Sequence, residues 1–269
     1  MMNNRPIGVF DSGLGGLTVL KELVKILPDE DYVYLGDNLR MPYGAKTDEE
    51  IERFTVNSYK FLKTKGIKAM VIACNTATAM GLEAVREIAD IPVIGVIEPG
   101  AKSSISKGKS EVGIIATDAT IRSKVYENLI KEQLPESKIY GVGAPDLVLA
   151  VEAGNAENEI GKGIVKRYMD EFPNNLEVVV LACTHFPAAM ELFEDYLNTN
   201  EKDVIIVDPA AETAKALNEI LDKSGSKKGG NTEGNKTFYV TTRPDDFKNI
   251  GNMILNNEPK IEKVEVVEI

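Results

Sequence analysis

Cysteine and histidine are scarce in this chain. It has two cysteines and one histidine in 269 residues. With no C-x-x-C pair, a disulfide framework and a metal site are both poor readings. Positive charge is also short: 31 Lys and Arg against 42 Asp and Glu leave a formal net charge of −11 at pH 7. A nucleic-acid backbone or an anionic membrane surface needs a basic patch, so neither is expected as the main partner. A small anion needs only local donors and stays open. No apolar run approaches the ~20 residues that span a bilayer. The opening MMNNRPIGVFDSG lacks the apolar stretch of a secretory signal, so the expectation is a cytoplasmic protein with free thiols. A dinucleotide fingerprint is missing too. Gly13 and Gly15 supply G-x-G, but Thr18 stands at the third position, and no Walker Lys-Ser pair follows.

What is present is one short pattern used twice. Residues 69–76 read AMVIACNT and residues 178–185 read VVVLACTH. A short apolar run that ends in polar turn residues and leads into helical spacing reads as a buried strand of a parallel sheet. Cys74 and Cys183 then sit just past the carboxyl ends of their strands, where open α/β sheets place their ligand crevice. His185, the lone histidine, follows Cys183 by two residues.

Strands and helical segments alternate along the chain, which predicts an α/β fold. Its hydrophobic content of 43% and charged content of 27% are those of an ordinary globular protein. GVFDSG (8–13) and GIIATDAT (113–120) each turn a glycine-led strand into small oxygen-bearing residues. This suggests two similar lobes, each a mainly parallel sheet flanked by helices, with the active site in the crevice between them. The expected division is residues 1–97 plus 207–269 for a discontinuous first lobe and 98–206 for the second. Several local expectations follow. The glycine turn at 11–16 leads into a helix whose N-terminus can hold an anion. Thr47 caps one helix and Thr76 another. Glu98-Pro99-Gly100 breaks the chain's run, and Thr117 to Thr120 cap a helix bearing Ile121, Val125 and Leu129. A helix spans Ala156 to Phe172, and Pro187 takes the first position of a helix running to Leu197. Residues 223–236, rich in Gly, Ser, Lys and Asn, are a mobile loop by composition.

A cysteine at a strand end is often only a small buried hydrophobe. Here both are followed at once by hydroxyl, amide or imidazole groups. Helices starting near Thr76 and Pro187 would bring positive dipole to each sulfur and favour thiolate. A hydrolase has no role for a second thiol on the opposite wall. Inverting a carbon centre does, because it needs a base on one face and an acid on the other. The reference thiol pKa of about 8.5 is close enough to neutrality for one thiolate and one thiol to coexist. Asp11 and His185 are the natural assisting groups, one near each sulfur.

Residues 7–18 (IGVFDSGLGGLT), Pro42-Tyr43-Gly44, Ala73 to Thr78 (ACNTAT) and Cys183-Thr184-His185-Phe186-Pro187 together resemble glutamate racemase. The resemblance covers essentially the whole chain, in order and spacing. It implies a cytoplasmic, cofactor-independent bacterial enzyme, with no metal, that makes D-glutamate for peptidoglycan and is often a homodimer. It also implies that Cys74 serves D-glutamate and Cys183 serves L-glutamate. Asp11, His185 and Glu152 would be the assisting acid–base groups. Asp11, Ser12, Pro42, Tyr43, Gly44, Asn75, Thr76, Thr117, Thr120, Thr184 and His185 would hold substrate. Ala144, Ala182 and Phe186 depart from residues common in the family and could reshape the pocket. Aspartate racemase is the nearest rival reading, and a two-lobed protein that binds an acidic metabolite without chemistry is another.

Overall fold

Strands buried on both faces read as unbroken apolar runs, and each sheet is built from such runs. The computed structural model describes residues 3–155, 158–230 and 232–269. The first half of the chain runs β1 (Ile7–Asp11), α1 (Gly16–Ile26), β2 (Tyr32–Gly36), α2 (Asp48–Thr64), β3 (Ala69–Ile72), α3 (Asn75–Ile88), β4 (Val93–Gly95) and α4 (Ile97–Ser106). Next come β5 (Glu111–Ala116), α5 (Asp118–Ser123), α6 (Val125–Gln133), β6 (Lys138–Gly143), α7 (Pro145–Glu152) and α8 (Glu159–Met169). The chain then forms β7 (Val178–Ala182), α9 (Met190–Thr199), β8 (Ile205–Val207), α10 (Pro209–Lys223), β9 (Lys236–Val240), α11 (Pro244–Ile254) and β10 (Val264–Val266).

Among the described residues, six strands form one sheet in the order β10-β9-β2-β1-β3-β4 and four form a second in the order β6-β5-β7-β8. Every pairing is parallel. The order β2-β1-β3-β4 of the first sheet is repeated by β6-β5-β7-β8 in the second, so the two halves share one topology. In each sheet the two strands that carry the polar motifs are neighbours: β1 beside β3, and β5 beside β7. The late segment β9 pairs with β2, returning the end of the chain to the first sheet.

Local structure departs from the sequence expectations at five places. Cys74, not Thr76, is the N-cap of α3, with its sulfur accepting from the Ala77 N–H at 3.4 Å. Thr76 lies inside the first turn. Glu98-Pro99-Gly100 does not break the chain but opens α4; proline in a first helical turn forfeits no internal hydrogen bond. The helix expected after Thr117 is two helices, because Lys124 takes a left-handed conformation (φ 56°) between α5 and α6. Pro187 lies in a 3-10 turn, Phe186–Ala189, and the α-helix starts only at Met190. Residues 223–236 are tied down: Ser226 O accepts from Lys68 Nζ, Lys228 N–H donates to Glu30, and Gly234 N–H donates to Pro28 O. The expected start of a helix at Ala156 lies outside the described residues, and α8 begins at Glu159.

Lys68 organises the far end of the first sheet. Its ammonium is fully buried, 2.6 Å from Glu30, and also donates to Asn3 O at 2.7 Å and Ser226 O at 2.8 Å. All three donors of the ammonium are used, which is what a buried lysine requires.

Candidate active site

The carboxyl ends of β1 and β3 face those of β5 and β7 across a narrow cleft. Its walls are Ser12, Met41, Pro42, Tyr43, Gly44, Cys74, Asn75, Thr76, Thr117, Val148, Cys183, Thr184 and His185. The two cysteines are free thiols, 5% and 6% exposed, so both open onto the same space. The cavity is about 20 Å³, room for about one water molecule. A substrate larger than that requires the walls to part.

Each thiol has its own surroundings. Cys74 Sγ lies 3.5 Å from Ser12 Oγ and accepts from Ala77 N–H. The expected pull of the helix dipole toward thiolate loses to burial. Desolvation, with help from the nearby Asp11 charge, pushes the Cys74 thiol up to about 12. Cys183 Sγ lies 3.7 Å from His185 Nδ1, and His185 Nε2 lies 2.5 Å from Glu152 Oε1. Burial alone would depress the imidazole, but contact with Cys183 and with the Glu152 carboxylate outweighs it. His185 therefore holds its proton well above the ordinary histidine range. Glu152, the last residue of α7, is raised by burial, but His185, the Leu14 N–H and the Arg243 charge together outweigh it, so its carboxyl stays below the usual range. One side of the cleft thus has a thiol beside an imidazolium–carboxylate pair, and the other has a thiol that keeps its proton.

Asp11, the last residue of β1, is fully buried behind the wall rather than facing the cavity. Its carboxylate accepts from Gly13 N–H at 2.9 Å and from Thr184 Oγ at 3.1 Å, and it also takes the Gly16 N–H. Desolvation raises its pKa, partly opposed by His185 and these donors. Its influence on Cys74 is electrostatic; the direct neighbour of that sulfur is Ser12. The N-terminus of α1, expected to hold an anion, is occupied by the protein's own carboxylates. Asp11 takes Gly13 and Gly16, and Glu152 takes the Leu14 N–H at 3.4 Å. The glycine turn is tight for a second reason: a Cβ on Gly15 would lie 2.4 Å from Thr184 Oγ and 2.7 Å from His185 Nδ1. Only glycine lets the first lobe approach the Cys183 side so closely.

Hydroxyls join the lobes. Thr76 Oγ lies 2.8 Å from Thr117 Oγ and 3.3 Å from Thr120 Oγ, and the last two are 3.0 Å apart. Tyr43 donates to the buried Asp37 carboxylate at 2.7 Å, which fixes the wall formed by Pro42, Tyr43 and Gly44. Of the residues singled out in the sequence, the two cysteines, Ser12, Pro42, Tyr43, Gly44, Asn75, Thr76, Thr117, Thr184 and His185 line the cleft. Asp11, Thr120 and Glu152 stand directly behind it. Met41 and Val148 line it without having been singled out. Val148 is four residues before Glu152 on α7, and that i, i+4 spacing was the signal available.

Two parallel α/β lobes sharing one topology bring thiols, carboxyls and hydroxyls to facing strand ends, the arrangement of a two-lobed protein with its site in the crevice. Comparison with known proteins makes the family specific. The Asp/Glu/Hydantoin racemase family matches residues 7–217. The glutamate racemase of Lactococcus lactis subsp. cremoris (strain MG1363) is 40% identical over 256 residues, covering 95% of this chain and 93% of its own. A crystal structure of glutamate racemase from Francisella tularensis in complex with D-glutamate has a TM-score of 0.90 and 37% identity, covering 98% of each chain. That from Thermus thermophilus, in complex with beta-chloro-D-alanine, has a TM-score of 0.88 and 33% identity, covering 100% of this chain and 99% of that one. The chain belongs to the Asp/Glu/Hydantoin racemase family.

Proposed function

We propose that this protein interconverts L- and D-glutamate by moving the α-proton between Cys74 and Cys183. One sulfur, as thiolate, removes the proton from one face of the α-carbon. The other, as thiol, delivers a proton to the opposite face. The two roles exchange in the reverse direction. No cofactor is needed, because both proton transfers are assigned to side chains. Cys183, beside the His185–Glu152 pair, serves L-glutamate, and Cys74, beside Ser12 and near Asp11, serves D-glutamate. The hydroxyls of Ser12, Thr76, Thr117 and Thr184, with the Asn75 amide and the backbone around Gly44, hold the carboxylates and ammonium. Asp11 and Thr120 act from behind the wall.

The observation that carries this reading is that the only two cysteines of the chain line one cleft from opposite lobes. The names of the relatives and the D-glutamate in the Francisella structure support glutamate over aspartate. In its cellular setting the protein is a cytoplasmic source of D-glutamate for peptidoglycan and a homodimer, its lobes dividing as 1–97 plus 207–269 and 98–206. Among the described residues no helix is long and apolar enough to cross a membrane.

The test is solvent exchange. In D2O, each enantiomer of glutamate should acquire deuterium at its α-carbon as it racemises, and faster than aspartate does. Binding of glutamate with retention of its α-proton would make this a binding protein. Cys74→Ser and Cys183→Ser should each impair exchange unequally from the two enantiomers, and mild, symmetric losses would reduce both cysteines to packing.

A further inference from the structure

Asn75 is a cleft residue whose amide has two chemically opposite ends. Its Nδ2 donates, which suits a carboxylate; its Oδ1 only accepts, and would repel one. Which end faces the substrate is decided outside the cleft. Tyr126, on α6 of the second lobe, donates its hydroxyl to Asn75 Oδ1 at 2.8 Å. Both residues are buried, 3% and 4% exposed. Tyr126 is absent from the cleft wall. Burial, and then the charges of Asp208 and Cys183, raise its phenol pKa, so the hydroxyl keeps its proton.

The phenol oxygen has little choice of partner. The backbone of α4 presses against it at Gly100, where a Cβ would lie 2.9 Å from Tyr126 Oη. Among the described residues, its one hydrogen bond is to Asn75. If the amide turned over, Nδ2 would occupy that place. The turned Nδ2 could still donate to the phenol oxygen, but the phenol proton would lose its acceptor in a buried site, so the turned amide is a minor state.

We propose that Tyr126 is a positioning residue for substrate recognition: by holding Asn75 Oδ1 it keeps the Nδ2 hydrogens toward the cleft and makes that wall select a carboxylate over a carboxamide. This rests on the reading that glutamate binds in the cleft. Because Tyr126 and Asn75 belong to different lobes, the selection operates only when the lobes are together.

The experiment is Tyr126→Phe in the full chain, with racemisation and α-proton exchange followed for both enantiomers. Glutamine and glutamic acid α-amide are measured as competitive inhibitors. KM for glutamate should rise about tenfold with kcat changed less than about twofold. Discrimination against one of the two monoamides should fall by about tenfold, because a freed amide can turn Oδ1 to meet a carboxamide N–H. A merely structural role would weaken glutamate and both amides alike, and that result overturns the proposal, as does an unchanged KM. Asn75→Ala and the double variant guard against loss of fold: in the Asn75→Ala background, Tyr126→Phe should change KM no further. Additive losses would show that Tyr126 does not act through Asn75. Wild-type protein that racemises glutamate while Tyr126→Phe behaves normally sinks this inference alone. Wild-type protein inert toward glutamate sinks the functional reading as well.

Discussion

Replacing Glu152 with glutamine keeps the shape of the side chain and removes its charge. The carboxylate lies 2.5 Å from His185 Nε2, with the two side chains 15% and 3% exposed, so solvent does little to screen them. A hydrogen bond to a charged partner is worth about 1.5–3 kcal/mol net. At 1.4 kcal/mol per decade that is about 10- to 100-fold in any step that needs His185 protonated or aligned. The equilibrium between enantiomers is unity, so kcat/KM must fall equally in both directions of racemisation. The asymmetry is therefore sought in α-proton exchange with retention, followed by NMR in D2O from each pure enantiomer. Exchange from L-glutamate, assigned to Cys183, should slow by about 10- to 100-fold, and exchange from D-glutamate by much less. The pH profile should move too. Glu152 and Cys183 together hold the His185 proton against burial, so with the charge gone the imidazole loses its proton at lower pH. The limb of the profile that reports this loss shifts downward. Equal slowing from both enantiomers with an unmoved limb would refute the linkage of Glu152, His185 and Cys183.

Gly15→Ala should cut turnover by at least ~100-fold, since the added methyl meets Thr184 and His185 well inside contact distance; steady-state kinetics beside a thermal melt separate this from unfolding. Lys68→Ala strands the buried Glu30 carboxylate and should cost about 3–5 kcal/mol in urea unfolding, with kcat nearly unchanged in the fraction still folded. Asp11→Asn should abolish racemisation and remove one pH dependence of stability, at the cost of an acceptor oxygen for the Gly13, Gly16 and Thr184 donors. The sign follows from burial. The folded Asp11 carboxyl has a raised pKa, so the native state binds the proton more tightly. Wild-type stability then falls as pH rises from the unfolded carboxyl pKa through the folded one. The asparagine variant should lack that fall, and melts recorded across the acid range will show whether it does.

Most of the sheet architecture was legible because both cysteine strands, and the glycine-led strands that accompany them, are apolar and buried on both faces through their middles, with charged residues only at their ends. The facing cysteines followed from strand ends alone. Helix starts were harder. Cys74 took the cap from Thr76 because a thiol at a strand end can accept a backbone N–H as a hydroxyl does, which residue preference does not reveal. Glu98-Pro99-Gly100 looked like a breaker because Pro and Gly are read as punctuation, yet Pro99 falls in a first turn and Gly100 is crowded by both Pro209 and Tyr126, which leave no room for a Cβ. The state of the Cys74 thiol could not be read locally either. The dipole effect is a property of sequence neighbours, while the larger desolvation depends on packing that exists only once distant segments of the chain have folded together. Tyr126 gave no signal, since its contact with Asn75 exists only after the two sheets meet.

The three threonine hydroxyls carry three protons among them and can pass hydrogen bonds around their triangle in either sense. Thr117 and Thr120 belong to the same lobe, so when the lobes separate these two keep each other, and Thr76 alone comes away. Within that pair one hydroxyl donates to the other, whose own proton stays free, so each separated lobe presents one free hydroxyl donor.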